Sequence, residues 1–139
     1  MMKKCLAASF ICLAMASGTA IADRDEIIYE ILQTSKHNIE IVDGGNDTYI
    51  YRAWNKPRQT GQGQPDFEIP NGTGWGRISA SDIACMKGAK GYDFTLKNVG
   101  IHITMDGCPE KGQPQNAIGV LDVSINGKNR SRYWIYTAP

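Results

Sequence analysis

His102 stands in an alternating stretch, Ile101-His102-Ile103-Thr104-Met105-Asp106, and shares its polar face with Asp106. The facing segment, Tyr92 to Lys97, carries Asp93 and Thr95 on its own polar face. An imidazole beside carboxylates and a hydroxyl is the best grouping in the chain for acid–base work or for holding a metal. A solvent-facing histidine bonded to a neighbouring Asp or Thr needs no such role, so neither metal nor cofactor is expected. His37, near a strand start, reads as ordinary surface. The signatures of a serine-hydrolase elbow, a zinc-protease helix or a phosphate loop do not occur. Gly72-Thr73-Gly74-Trp75-Gly76 lacks the third glycine of a dinucleotide fingerprint at the right spacing and reads better as a turn or bulge. The reading leans away from an enzyme; a small metal-assisted hydrolase built on His102, Asp93 and Asp106 is the weakest of the alternatives.

A second grouping is aromatic and basic. Tyr49, Tyr51, Trp54, Lys56 and Arg58 lead into a stretch rich in Pro, Gly and Gln that ends at Trp75 and Arg77. Aromatic and arginine side chains anchor interfaces because they bury much area at low entropy cost, and aromatic faces also stack on sugars. Trp54, Lys56, Arg58, Trp75 and Arg77 are therefore the candidate binding residues. The competing reading is that the rings fill a small core.

The elements that must position these residues are mostly strands. Asn38–Val42 and Asp47–Trp54 flank the turn signal Asp43-Gly44-Gly45-Asn46. With Gly44-Gly45 as the loop, Ile41 faces Thr48 and Ile39 faces Ile50. Residues 55–77 form a long connection, with a short edge strand at Phe67–Ile69; connections of this length are often functional. Tyr92–Lys97 and Gly100–Met105 make a second hairpin, in which a turn at Asn98-Val99 sets Leu96 against Ile101 and Phe94 against Ile103. Ala117–Ile125 and Arg130–Tyr136 make a third. A three-residue loop, Asn126 to Lys128, pairs Leu121 with Tyr133 and Asp122 with Arg132, which suits both faces. Asp23–Lys36 is ambiguous: Ile27, Ile28, Ile31 and Leu32 fit one face of a helix led by Asp23, Asp25 and Glu26, which is preferred, yet Ile and Tyr also favour a strand. The expected fold is a small antiparallel barrel or sandwich of six to eight strands with a short N-terminal helix as an option.

The first 22 residues read as a secretory signal. Met1-Met2-Lys3-Lys4 is basic, Cys5 to Met15 is an apolar stretch too short for a permanent span, and Ala20-Ile21-Ala22 ends it as a cleavage pattern. Residues 23–139 then form one domain, periplasmic or extracellular, without a stable membrane anchor. Of the four cysteines, Cys5 and Cys12 leave with the signal. Cys85 and Cys108 remain, and an oxidising compartment makes them a disulfide closing a loop of about 24 residues, with roughly 3–4 kcal/mol from chain entropy. The chain has 15 basic and 14 acidic residues, and Lys3 and Lys4 go with the signal. Near-neutrality argues against a general nucleic-acid binder. Two basic clusters, Arg52/Lys56/Arg58 and Lys128/Arg130/Arg132, could meet an acidic partner or be solvated strand ends.

The leader, the chain length, the β pattern and the Cys85/Cys108 pair together resemble the small periplasmic inhibitors of c-type lysozyme. Trp54-Asn55-Lys56-Pro57 followed by Pro65-Asp66 also looks like a family signature, with no activity attached to it. The resemblance is one of general build. It implies a compact β-barrel that puts loop residues into a lysozyme cleft, and it carries over no inhibitory residue, since the family's cysteine-containing strand motif has no counterpart here. The expectation is a non-catalytic exported binding protein, an inhibitor or immunity protein against a cell-wall hydrolase, with an envelope or secreted protein as partner. A carbohydrate-binding or adhesin-like module is the alternative.

Overall fold

The computed structural model describes residues 26–76 and 84–138. The proposed leader, Asp23, Asp25 and Arg77 lie outside the described residues. Eight antiparallel strands follow one another around a closed barrel, each bonded to its neighbour in sequence, and the last returns to the first. They are β1 (Ile28–Gln33), β2 (His37–Gly45), β3 (Thr48–Asn55), β4 (Phe67–Gly76), β5 (Lys90–Leu96), β6 (Val99–Met105), β7 (Gly119–Ile125) and β8 (Lys128–Thr137). Closure joins the two outer strands of the sheet to each other. The seam is short: Leu32 pairs with Thr137 and Gln33 with Tyr136.

The preferred N-terminal helix is not formed, because Ile28–Gln33 is strand β1. A helix would have buried Ile28, Ile31 and Leu32 on one side. In β1 only Leu32 is buried, while Ile28 and Ile31 stay exposed. The segment is a strand because it completes ladders on two sides, against β2 and β8, and that gain outweighs a modest local helical pattern. Thr34 sets the sharp reversal into β2: its hydroxyl accepts the N–H groups of Lys36 and His37 at 3.2 and 3.1 Å.

The first hairpin turns two residues later than expected. Asn46 and Asp47 both have positive φ, 53° and 61°, between Gly45 and Thr48, which is the turn whose twist matches the strands. Ile41 consequently faces Tyr51, Ile39 faces Ala53 and Val42 faces Ile50. In the second hairpin Phe94 faces Ile101 and Tyr92 faces Ile103, two residues away from the expected register. A two-residue slip keeps every side chain on its own face, so the apolar sets still share the barrel interior. The third hairpin holds the expected pairs, Leu121 with Tyr133 and Asp122 with Arg132. Its tip is nonetheless a two-residue Asn126-Gly127 turn, and an irregularity between Val123 and Ser124 restores the register.

Phe67–Ile69 is not an edge strand but the start of the ten-residue β4, which pairs on both sides. The glycine run lies in this strand rather than in a turn, with a register shift opposite Tyr49/Tyr51. A Cβ at Gly72 would stand 2.2 Å from the Phe94 ring, and one at Gly74 would stand 2.7 Å from the Tyr49 ring. The glycines make room for rings in the barrel interior, which is filled by small-against-large complementarity.

The core gathers the inward rows of all eight strands, including Ile39, Ile41, Ile69, Phe94, Ile103 and Ile135. β2 is covered on its outer face as well: Glu40 is 1% exposed. Arg52, across the ladder, reaches Glu40 at 3.3 Å, Glu26 at 2.8 Å and Glu68 at 2.7 Å. Glu26 first, and then Glu68, raise the Arg52 pKa above its ordinary range. Arg52 is thus committed inside the molecule rather than offered to an acidic partner. Arg132 is similarly held, by Asp122 at 2.8 Å and Glu110 at 3.2 Å. Cys85 and Cys108 form the expected disulfide, tying the connection before β5 to the one after β6.

Candidate functional site

Up-and-down order sorts the connections to two ends. The β1–β2 turn, the 56–66 connection and the tips at 97–98 and 126–127 meet at one end, called here the loop end. The β2–β3 turn and the disulfide-linked connections meet at the other. The five candidate binding residues do not come together. Trp54, Lys56 and Arg58 lie at the loop end, Trp75 lies near the opposite end of β4, and Arg77 is outside the described residues.

The loop end is built on Trp54. Its indole is 0% exposed, and its N–H donates to the Gly63 carbonyl at 3.0 Å. Trp54 therefore cannot serve as a contact residue; it is the post on which the loop rests. Parity explains this: Trp54 is an even position on β3, pointing out of the barrel, and the folded-back connection covers it. Arg58 is also used internally. It forms an ion pair with Asp66 and donates to the Gln64 carbonyl at 2.9 Å. Asp66 accepts the Asn55 N–H at 2.7 Å. That bond first, and then Arg58, holds the Asp66 carboxyl below its ordinary range. The Asn38 amide closes the brace from β2 by donating to the Arg58 carbonyl at 2.8 Å. What the loop presents outward is Asn55, Lys56, Pro57, Gln59, Gln62 and Gln64, all exposed. The Lys56 ammonium donates to the neutral Gln33 amide oxygen at 2.8 Å.

Beside this loop the barrel mouth opens into a cavity of about 220 Å³. Its walls are the upper inward positions. Tyr51, Phe67, Tyr133 and His37 supply rings, and small residues such as Ala53 and Ser131 leave the space. Tyr51 is 3% exposed. Its ring packs against Phe67 and Phe94, at centroid separations of 6.3 and 5.5 Å. Its hydroxyl has no hydrogen-bond partner among the described residues. Burial, with Tyr133 second, raises its pKa well above the ordinary phenol range, so it is a neutral donor. His37 stands edge-on to Tyr133 at 5.9 Å. Burial first, then Lys36, lowers the His37 pKa, with Asp66 opposing.

At the other end a groove of about 340 Å³ is lined by Tyr29, Tyr49, Trp75 and Tyr92 together with Glu30 and Lys90. Here Glu30, Lys90 and Tyr92 bond to one another. Glu30 Oε2 accepts from Lys90 Nζ at 2.7 Å and from the Tyr92 hydroxyl at 2.9 Å. The rings meet edge to face, Tyr29 to Tyr49 at 5.3 Å and Tyr49 to Tyr92 at 5.1 Å. Trp75 lies over Gly91, where a Cβ would stand 2.4 Å from the indole.

The His102 grouping is partly assembled. His102 Nδ1 lies against the Asp93 carboxylate directly across the ladder, and Nε2 is 3.2 Å from the Thr104 hydroxyl. Asp106 is four residues further along, about 13 Å at strand rise, too far to share a ligand with His102. Asp122, the other cross-strand neighbour, is bonded to Arg132. Among the described residues no three His, Cys, Asp or Glu side chains are grouped to hold a metal ion.

Neither the mouth cavity nor the Glu30–Lys90–Tyr92 cluster was visible in the sequence. The mouth draws on six strands and the cluster joins residues about sixty positions apart. The one local signal was the sequence of alternate positions Tyr49, Tyr51 and Ala53, which runs from large to small along one inward row of β3. No family model, no curated protein and no solved structure matches this chain.

Proposed function

We propose that the chain is an exported, non-catalytic binding protein that blocks a cell-wall hydrolase of the lysozyme class, with the 55–66 loop as its contact surface. The leader pattern at residues 1–22 and the oxidised Cys85–Cys108 pair support export. The observation that carries the reading is the bracing of the loop. Trp54 beneath it, the Arg58–Asp66 pair within it and Asn38 beside it hold a polar surface in one shape before any partner arrives. A pre-ordered loop loses little entropy on docking, which is how small rigid inhibitors gain affinity. Glycoside hydrolases carry a pair of carboxylates in their cleft. Lys56, exposed and bonded through its side chain to a neutral amide, offers a cation to such a pair.

The test is peptidoglycan lysis by a panel of lysozymes and amidases, with oxidised protein titrated in. Saturable inhibition of one class near equal stoichiometry is expected, weakened at least tenfold by Lys56→Ala with unchanged thermal unfolding. Full lysis by every enzyme at excess protein overturns the reading.

The opposite groove favours a second reading, a glycan-binding module. Aromatic faces beside a carboxylate and an ammonium suit a sugar with adjacent hydroxyls, one donating to Glu30 and one accepting from Lys90. Retention on peptidoglycan beads that is lost in Trp75→Ala and kept in Lys56→Ala supports this reading over the first.

A further inference from the structure

We propose that the barrel mouth beside the 55–66 loop binds a small aromatic molecule, of one or two fused rings, through a ligand oxygen that accepts a hydrogen bond from Tyr51. This goes beyond the loop-surface reading and does not depend on it.

Three observations converge. The first is the orphaned donor. A buried hydroxyl without a partner is uncommon and costs stability, so each one calls for an explanation. Tyr51 lines the cavity and its hydroxyl has no partner among the described residues, whereas its counterpart Tyr92, in the same core from the other end, is bonded to Glu30. The second is size. A cavity of about 150 Å³ accommodates benzene; about 220 Å³ suits one ring with substituents or two fused rings and excludes larger cofactors. The third is the lining. Tyr51, Phe67, Tyr133 and His37 present ring edges and faces around one space, and aromatic pairs in such arrangements gain beyond their buried area. Apolar walls with a few converging polar groups, in the mouth of a barrel, are the usual form of a small-molecule site.

The ligand is oriented by these features. Its ring lies among the four aromatic side chains of the lining. Its oxygen points inward to Tyr51.

The test uses p-cresol and the shape-matched p-xylene, titrated into the oxidised protein by calorimetry and by NMR shifts of the mouth residues. Both are expected to saturate one site. Tyr51→Phe should weaken p-cresol about three- to tenfold and leave p-xylene within about twofold, the size of one neutral hydrogen bond. Ala53→Leu, which fills the space, should abolish both, and Ser131→Leu at the rim serves the same purpose should Ala53→Leu fail to fold. Absence of saturable binding by either compound overturns the proposal. So does binding that survives both filling variants, which places the site elsewhere. Equal loss of the two ligands in Tyr51→Phe, or no loss of either, overturns the assignment of the ligand oxygen to Tyr51.

Discussion

Tyr51 and Tyr92 are two tyrosines of one core, placed at opposite ends of the barrel, and they fare differently. Tyr92 ends in a cluster that satisfies itself: its hydroxyl and Lys90 share one oxygen of Glu30. Tyr51 lines a cavity, and its hydroxyl has no hydrogen-bond partner among the described residues. The cause is the size of the inward residues around each. Near the groove, Tyr29, Tyr49 and Tyr92 meet ring to ring. At the loop end Ala53, Val99, Val123 and Ser131 stand where rings would be needed to fill the mouth. Side-chain volume sets how the inward positions are filled at each end: rings meet one another beside the groove, and small residues leave the cavity at the loop end. The lesson is that a site is defined as much by small residues that withhold atoms as by the polar groups that remain.

The two tryptophans chosen together as contact residues sharpen the comparison most. Trp54→Ala removes a fully buried indole and the post of the loop, and should cost about 3–5 kcal/mol in denaturant unfolding. Trp75→Ala removes a half-buried ring at the groove and should cost about 1 kcal/mol. Equal costs would break the distinction between post and surface.

The tyrosines come next. Tyr92→Phe deletes a made bond and leaves Glu30 with one fewer donor, and should destabilise by about 1–3 kcal/mol. Tyr51→Phe deletes a hydroxyl with no partner among the described residues and should change stability by less than about 0.5 kcal/mol, or raise it. A loss of the same size at both positions would show that Tyr51 has a partner after all.

The smallest effect is one of pH. Burial disfavours the charged form of His37 in the folded protein, so the unfolded chain binds the extra proton more readily. The stability associated with neutral His37 is fully present above its ordinary value, near pH 6.5, and declines as pH falls through that value toward the lower folded one. Unfolding free energies between about pH 7 and pH 5 should therefore slope downward toward acid, and the slope should flatten in His37→Gln. A slope that is unchanged in His37→Gln would assign it to other groups.

How far the fold was legible follows from the same residues. Alternation in Tyr92–Leu96, Ile101–Met105 and Leu121–Val123 showed which side chains point inward. The second hairpin kept its faces although the turn lay elsewhere, because a slip of two residues conserves parity. The N-terminal segment was misread because its pattern fits two periods, and pairing with β2 and β8, not local preference, selects the strand. The glycine run, read as a turn or bulge, lies in β4 beside a bulge-type register shift, and the reason for Gly72 and Gly74 is out of reach of local sequence, in the rings of Phe94 and Tyr49 on the neighbouring strands. Of the candidate site, residue types were legible and their roles were not: Trp54 and Arg58 hold the loop, and Lys56 faces out.

The chain by itself determined the antiparallel β class, the pairing of Cys85 with Cys108, and the inner and outer faces of the strands in the second and third hairpins. These depend on residue type and on a period of two, which are properties of neighbours in sequence. Only the tertiary structure decided barrel over sandwich, where the mouth cavity forms, which tryptophan is buried, and that Tyr92 is bonded to Glu30 while Tyr51 has no hydrogen-bond partner among the described residues. Those outcomes depend on how eight strands close on one another, and closure brings together side chains that no local pattern relates.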